Sequence, residues 1–246
     1  MTAAGTRQPV SVGHPLRLGS ATHLFVIGLA AEARVKPVIL DAMHRMGLHD
    51  VEDTSLRVVA ALAEGRRVWM TSDLHFGHAN ILTYAARHHR DVAQMNADLL
   101  AMLRKQVGPD DLLVIAGDLM FGEDPAVLDT LATLAASVIL VVGNHDFDKS
   151  GHFRWPWRCF SAVVPFLYWH WAGQNCLVTH LPVPVEGLDV KDVLSTDPRF
   201  SNPSQGLAQV VNYHGHLHLQ TVPVDRPERI VHVNVGYDHL RGMLCL

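Results

Sequence analysis

The chain has 246 residues, 48% of them hydrophobic and 18% charged, which is ordinary for a globular protein with one large domain or a core domain with an appendage. The net charge of -4 argues against long duplex DNA as a partner and leaves only short single strands open among nucleic acids. The N-terminal residues lack a signal-peptide pattern, and no apolar run there is long enough to cross a bilayer. Three cysteines without CxxC spacing indicate free thiols, so we expect a cytoplasmic protein without a membrane partner.

Residues 1–66 are predicted to form an accessory segment, because they contain no cluster of catalytic or metal-binding residues. The elements expected there are a strand at 23–28 and amphipathic helices at 34–46 and 54–64. A glycine follows each helix, Gly47 and Gly65, and glycine commonly ends helices. Residues 67–246 are expected to form the functional domain.

From residue 67 onward, the chain alternates between strand and helix patterns. The predicted order is strand 67–71, helix 92–106, strand 111–116, helix 125–136 and strand 138–142. Asp124 and Pro125 suit the start of the second helix, as its N-cap and its first-turn residue.

The second half of the chain is richer in strands. Short strands are predicted at 162–171, 175–179, 220–224 and 229–235, around a segment at 186–209 with little periodicity. Strand–helix–strand units followed by a strand-rich half predict an α/β protein with two sheets packed together and helices outside.

Side chains suited to metal binding gather where the strand patterns stop. They are Asp73 with His75, Asp118, Asn144 with His145 and Asp146, His180, and, before the last strands, His216 with His218. In open α/β sheets, ligands collect beyond the C-terminal ends of strands, where residues from distant sequence positions converge. One such histidine is usually structural, but five sets in a chain with 17 histidines indicate a metal site.

The ligand types indicate the kind of metal. Cysteine is missing from the set, which disfavours a structural zinc site with thiolate ligands. Imidazole, carboxylate and amide oxygen together suit catalytic divalent ions, and we expect Mn²⁺ in preference to Fe, Zn²⁺ or Ni²⁺. The seven candidate ligands exceed the needs of one tetrahedral ion but suit two ions, roughly 3.5–4 Å apart, that share a carboxylate. Asp118 follows a glycine on a short turn, and its two oxygens make it the natural bridge.

These residues resemble the five ordered motifs of the calcineurin-like metallophosphoesterases: Asp73-x-His75, Gly117-Asp118, Gly143-Asn144-His145-Asp146, Thr179-His180 and Gly215-His216-x-His218. The resemblance implies a four-layer α/β/β/α sandwich with a dinuclear centre. One ion would bind Asp73, His75, Asp118 and His218, and the other Asp118, Asn144, His180 and His216. His145 would stand beside the phosphate, as a general acid or a charge stabiliser. Asp146 either orients a neighbour through its carboxylate or closes the turn.

A closer resemblance is to a group of small bacterial and phage predicted phosphoesterases, and it rests on residues 71–82, on Met95-Asn96 and on residues 109–111. That group carries an Arg-Pro-Phe stretch before the Met-Asn pair; here Arg87 fits, but two histidines replace Pro and Phe. The residues predicted to bind substrate are Arg87, Asn80 and His78. They follow the first metal loop, and arginine is the best bidentate partner for phosphate. The alternative for Arg87 is a solvated helix start.

The features together predict an enzyme, a metal-dependent phosphoesterase that hydrolyses a small phosphate ester with a hydroxide activated by two divalent metal ions. Phosphodiesters are expected to be preferred over monoesters, because Arg87 is the only good cation visible near the site and a monoester dianion requires more positive charge. The alternatives are a catalytically silent, metal-holding binding module and a nuclease acting on short single strands. The complete motif set favours the enzyme, and the net charge disfavours the nuclease.

Overall fold

The structure is a computed structural model that describes residues 48–134, 137–182, 210–219 and 230–246. Several predicted elements lie outside the described residues: the strand at 23–28, the helix at 34–46 with Gly47, the segment at 186–209 and the strand at 220–224. Within the described residues, two sheets and several helices make an α/β protein, as predicted.

A five-stranded sheet holds the first half of the predicted strands. Its strands, in the order β4-β3-β2-β1-β9, are β1 Val68–Thr71, β2 Leu112–Ile115, β3 Ser137–Val141, β4 Ala162–Val164 and β9 Leu244–Cys245. Strands β1 to β4 are mutually parallel, and β9 pairs with the edge of β1 in the antiparallel direction. The C-terminal ends of β1, β2 and β3 therefore lie side by side at one edge of the sheet.

A four-stranded sheet is built from the strand-rich second half. Its strands, in spatial order, are β5 Leu167–Trp171, β6 Gln174–Val178, β7 Val210–His214 and β8 Ile230–Asn234. The run predicted as one strand at 162–171 divides into β4 and β5, which belong to different sheets. Pro165 lies at the division, and proline has no N–H with which to continue a ladder. Strands β7 and β9 were not predicted.

The helices are α1 Leu48–Ala63, α2 Ile81–Tyr84, α3 Val92–Gln106, α4 Pro125–Thr133 and α5 Tyr237–Leu240, with 3₁₀ turns at Asn144–Asp146 and Trp157–Cys159. Helix α3 has the predicted bounds, and α4 ends before the predicted residue 136. Asp124 caps α4 as predicted, because its side chain accepts the Ala126 N–H and Pro125 follows it.

Alternate residues of the five-stranded sheet face two apolar clusters. Leu113 and Ile115 pack in the cluster that contains α3 and α4, whereas Leu112 and Val114 pack in the cluster shared by the two sheets and α1. This alternation is the period of two expected of a strand, and covering both faces requires strands that are apolar throughout. The packing holds the C-terminal ends of β1 to β3 against those of β6 and β7.

Helix α1 is part of the packed core. Val51, Val58 and Ala61 are fully buried in the cluster between the sheets, and the Ser55 hydroxyl accepts the Tyr168 N–H of β5 at 3.1 Å. Gly65 ends the helix as predicted, with a φ of +72°. The boundary predicted at residue 66 thus falls directly after a helix that shares its core with the two sheets.

No helix among the described residues is both long and apolar enough to span a membrane. Cys159 and Cys176 are buried and Cys245 is exposed, and all three are free thiols, as predicted.

Candidate active site

Five loops meet where the predicted ligands lie, and backbone hydrogen bonds join them. The loop after β1 pairs with the loop after β2, because the Asp73 N–H donates to the Gly117 carbonyl and the His75 N–H to the Asp118 carbonyl, each at 3.1 Å. The Gly215 N–H donates to the His180 carbonyl at 2.9 Å, which joins the loops after β6 and β7. Residues far apart in sequence are thereby fixed within one small volume.

The first group of potential ligands is Asp73, His75 and His218, whose ligand atoms all lie within 4.8 Å of one another. The Nε2 atoms of His75 and His218 are 3.8 and 3.9 Å from Asp73 Oδ1. Asp73 and His75 are buried, while the His218 side chain keeps 27% of its surface exposed.

The second group is Asp118, His180 and His216, within the same 4.8 Å limit. Asn144 adjoins it, since its Oδ1 lies 3.1 Å from His180 Nε2. The two groups contain six of the seven residues that the resemblance named as ligands, and Asn144, the seventh, lies beside the second group.

Asp118 links the two groups. Its Oδ2 lies 3.6 Å from His75 Nε2, which belongs to the first group, and 3.3 Å from His180 Nε2, which belongs to the second. Its Oδ1 accepts the His145 N–H at 2.9 Å, so the orientation of the carboxylate is fixed from behind. A single carboxylate oxygen is therefore within reach of ligands from both groups.

The donor atoms fit cations. His180 Nδ1 donates to the Ala116 carbonyl at 2.8 Å, so Nε2 of the neutral ring directs a lone pair at the oxygens of Asn144 and Asp118. Acceptors facing acceptors at this distance require a proton or a metal ion between them. Neither ring nitrogen of His75 has a hydrogen-bond partner among the described residues, although the residue is only 1% exposed. A bound ion would satisfy Nε2, which faces the Asp73 and Asp118 carboxylates.

The protonation states also suit metal binding. Burial lowers the pKa of His75 to about 3 and that of His216 to about 4, so both rings are neutral and can bind an ion through a lone pair. Burial also acts to lower the pKa of His180, but the neighbouring Asp118 carboxylate raises it to about 10. The Asp118 carboxylate thus favours positive charge at His180 Nε2, which a metal ion would also supply.

The backbone at the site is unusual. Five of the predicted ligands have left-handed backbone conformations, with φ of 55° at Asp73, 50° at His75, 55° at Asp118, 67° at His216 and 50° at His218. Residues with side chains seldom adopt this region, and they persist there only where the surroundings enforce it. Asp and His adopt this region more often than most residues, but the sequence does not show which of them do so.

Glycines make room for the ligands. A Cβ on Gly117 would lie 2.5 Å from His180 Nδ1 and 2.7 Å from Gly143 Cα, and the φ of Gly117 is +88°. A Cβ on Gly143 would overlap the Asp118 carboxylate. The glycine before each of these motifs is therefore a steric requirement of the site.

Asp146 performs both of the roles that the sequence left open. Its carboxylate accepts the Gly143 N–H at 2.7 Å, which closes its own turn, and the Asp118 N–H at 3.1 Å, which orients the linking ligand. It also accepts the Leu119 N–H at 3.1 Å and the Trp155 indole N–H at 2.9 Å, and it is fully buried.

Arg87 corrects a sequence prediction, because it is not placed to bind phosphate. Its side chain is fully buried, and its five N–H groups are all used. They donate to both oxygens of Asp238, to the Leu74 and Asp73 carbonyls and to the Met95 sulfur. The alternative of a solvated helix start is wrong for the same reason.

Asp238 is a site residue that the sequence reasoning missed. Its Oδ2 accepts the His218 Nδ1–H at 2.7 Å, so that His218 Nε2 is left to face Asp73. A signal was present, because Asp238 follows the end of β8 just as the other polar residues follow their strands.

The remaining predicted residues lie at the open side of the site. The His145 side chain is 37% exposed, with its Nε2 3.9 Å from Asp118 Oδ2. The His78 ring is partly exposed, and its centroid lies 6.1 Å from that of His145. Asn80 is exposed at the start of α2, where its side chain makes no capping hydrogen bond.

Several known proteins are similar to this chain in sequence or fold. The gene 66 protein of Mycobacterium phage D29 is 31% identical over 188 residues, which cover 70% of this chain and 87% of the phage protein. The protein MJ1445 of Methanocaldococcus jannaschii is 32% identical over 83 residues, or 33% of this chain and 47% of that protein. The solved structure of AQ665 from Aquifex aeolicus has the same fold, with a TM-score of 0.53 at 21% identity over 73% of this chain and 95% of that one. Residues 66–240 match the family model of the calcineurin-like phosphoesterases, and the chain belongs to that family.

Proposed function

We propose that this protein is a dinuclear metal-dependent phosphoesterase that hydrolyses phosphodiesters in preference to phosphomonoesters. The observation that carries the proposal is the position of Asp118 Oδ2, which lies 3.6 Å from a ring nitrogen of one ligand group and 3.3 Å from a ring nitrogen of the other. A carboxylate so placed suits a bridge between two ions. The free cysteines support a cytoplasmic location.

The proposed ligands follow from the two groups. Asp73, His75, Asp118 and His218 would hold one ion, and Asp118, Asn144, His180 and His216 the other. The mixed nitrogen and oxygen donors favour Mn²⁺ over Fe, Zn²⁺ and Ni²⁺. When bound, such a pair of ions supplies Lewis-acid activation of water and neutralises charge on the phosphoryl group.

The residues of the chain orient the ester and move a proton. Because its backbone is tied to Asp118 while its ring is partly exposed, His145 can stand over the ions at the side of the leaving group. There it would donate a proton or hydrogen bond to the departing oxygen. His78, whose ring centroid lies 6.1 Å from that of His145, and Asn80 are retained as proposed contacts for the ester.

The preference for diesters rests on charge. A phosphomonoester dianion carries one more negative charge than a diester and requires further cationic groups. Arg87, the cation that the sequence placed near the site, has no donor left for it, because all five are bonded within the protein. A diester carries a single negative charge and does not require these further cationic groups.

The test is an assay of metal-stripped protein with bis-p-nitrophenyl phosphate and p-nitrophenyl phosphate, each with and without added Mn²⁺. The expected result is metal-dependent release of nitrophenol, with the higher kcat/KM for the diester. Retention of two ions without turnover of either ester, with any divalent ion, would indicate a binding module instead. A higher kcat/KM for monoesters across several compounds would overturn the diester preference, and faster cleavage of short single strands than of small diesters would favour the nuclease.

A further inference from the structure

An exposed strip of aromatic rings adjoins the proposed site. It consists of Tyr84, His78 and Phe121, and we call it the aromatic strip. The rings of His78 and Phe121 are stacked, with centroids 4.5 Å apart and an interplanar angle of 18°, and Tyr84 meets His78 edge-on at 6.5 Å. Phe121 in turn lies 6.0 Å from His145. The strip thus leads from the surface to the residue assigned to the leaving group.

The exposure of these rings is unusual for the chain. Tyr84 is 75% exposed and Phe121 48% exposed, whereas most large apolar side chains of the described residues are buried. Exposed aromatic rings that border a site commonly mark the surface that receives a ligand.

Hydrogen bonds hold the backbone that carries Phe121 and the loop before His78. The Phe121 N–H donates to the Phe76 carbonyl at 2.7 Å, and Asn96 accepts the Gly77 N–H and donates to Asp124, both at 3.0 Å. These bonds tie the loop after β1 to the loop after β2 and to the start of α4. A surface fixed in this way loses little conformational entropy on binding.

We propose that the aromatic strip is the leaving-group subsite and that it takes a planar aromatic or heteroaromatic group of the ester. The proposal rests on the proposed function, since it requires that His145 serve the leaving group. A flat ring attached to the departing oxygen would lie against Phe121, which borders His145. Stacking of a base on an aromatic side chain contributes about 1–3 kcal/mol, or roughly 5- to 150-fold in binding at about 1.4 kcal/mol per decade.

The test compares two methyl phosphodiesters, one with a phenol and one with a fluoroalkyl alcohol as leaving group, the two chosen for equal leaving-group pKa. Methoxide leaves too slowly to compete, so each ester has one effective leaving group. The measurement is the ratio of kcat/KM for the aryl ester to that for the alkyl ester, at saturating Mn²⁺. Wild type is expected to prefer the aryl ester, and Phe121→Ala to reduce the ratio by about 10-fold.

Two further variants of Phe121 distinguish the effect of ring stacking from that of side-chain volume. Phe121→Leu keeps apolar volume without a π face and is expected to behave like Phe121→Ala, whereas Phe121→Trp is expected to keep the wild-type ratio. The matched control is Trp157→Ala, which removes a ring that is 57% exposed and packs on Phe153. Its ratio is expected to equal that of wild type.

The outcomes distinguish this inference from the proposed function. If wild type hydrolyses neither ester with any divalent ion, the proposed function fails. If wild type hydrolyses both esters and Phe121→Ala leaves the ratio unchanged, the strip is not a leaving-group subsite, although the phosphoesterase assignment stands. Metal content, measured for every variant, excludes loss of ions as the cause of a changed ratio.

Discussion

Arg87 and Asp238 form a buried two-point ion pair, with Arg87 Nε 2.7 Å from Asp238 Oδ1 and Nη2 3.0 Å from Oδ2. The same carboxylate accepts the His218 Nδ1–H at 2.7 Å, and Arg87 Nη2 also donates to the Asp73 carbonyl at 2.6 Å. Arg87 therefore holds two proposed ligands of one ion, His218 through Asp238 and Asp73 through its backbone. We therefore expect Arg87 to act as a positioning residue for the proposed metal site.

Arg87→Lys is expected to lower the affinity for one of the two proposed ions by about 10- to 100-fold, because lysine cannot make the two-point contact that holds Asp238. With saturating metal, KM for the ester is expected to equal that of wild type. A raised KM under those conditions would instead indicate a phosphate contact. Metal titration followed by calorimetry, with Arg90→Lys as the exposed control nearby, makes the comparison.

Asp118→Asn is expected to weaken the binding of both proposed ions, because a neutral amide cannot readily bridge them. His218→Ala is expected to weaken chiefly the binding of one ion, since the His218 ring belongs to the first group. Elemental analysis of the purified variants gives the stoichiometry. Two ions at full occupancy in the Asp118→Asn protein would rule out the bridging role.

His145→Ala is expected to keep both ions while kcat falls by about 10²–10⁴-fold, the usual range for general acid catalysis. This corresponds to roughly 3–5 kcal/mol of transition-state stabilisation. The loss is expected to shrink for esters of p-nitrophenol, which need little protonation to leave. Loss of an ion would make His145 a ligand, and full activity on poor leaving groups would make it a bystander.

Asp111 precedes β2 and joins it to the start of β1. It accepts the Trp69 indole N–H at 2.9 Å and the Gly108 N–H at 2.7 Å, and it pairs with Arg67. Burial acts to raise the pKa of Asp111, but these donors outweigh it and hold the pKa below its usual value. The stabilisation is therefore present above the unfolded pKa of about 3.9 and is lost as the pH falls through the lower folded value.

Asp111→Asn is expected to lower the free energy of unfolding by about 1–3 kcal/mol at pH 7, because it weakens several hydrogen bonds of a buried group. The difference from wild type is expected to narrow below about pH 4, where wild type loses its charge as well. Denaturant unfolding at several pH values measures the difference in the free energy of unfolding, with Asp110→Asn, at the exposed neighbouring residue, as control. A difference that does not depend on pH would contradict the role of the charge.

Val58→Ala tests whether α1 belongs to the core. The side chain is fully buried between the sheets, so truncation is expected to cost about 2 kcal/mol and to lower Tm by roughly 4–8 °C. Leu56→Ala, on the same helix but 39% exposed, is expected to change stability by less than about 0.5 kcal/mol. Metal content is expected to stay unchanged in both. Equal Tm values for the two variants would mean that α1 is only loosely attached.

The sequence predicted the elements whose evidence is local. The strands before Asp73, Asp118 and Asn144 are short apolar runs, and the start of α4 carries its cap and its proline in consecutive positions. Five of the seven predicted ligands follow from the same rule, since each stands where a predicted strand stops, whereas His216 and His218 follow β7, which was not predicted. The structure brings six of the seven into two adjoining groups, with Asn144 beside the second.

The features that the sequence did not predict depend on partners far along the chain. Arg87 was predicted to bind phosphate because its actual partner, Asp238, is 151 residues away. Strand β9 has only two residues and exists because β1 offers it an edge. The integration of α1 into the core depends on β5, which the sequence does not place beside it. None of these contacts has a periodic or short-range signature.

Because five of the ligand positions have left-handed backbone conformations, we expect this protein to lose metal binding before it loses its fold. Each such residue costs about 1–3 kcal/mol relative to ordinary backbone, and the surrounding loops hold it there. A change that loosens those loops, such as Gly143→Ala, lets the ligand residues relax to common conformations in which their side chains no longer converge. The sheets and their cores do not depend on that convergence. Conservative substitutions near the site are therefore expected to leave a folded chain that no longer binds its ions. Metal content is then a more sensitive measure of their effect than melting temperature.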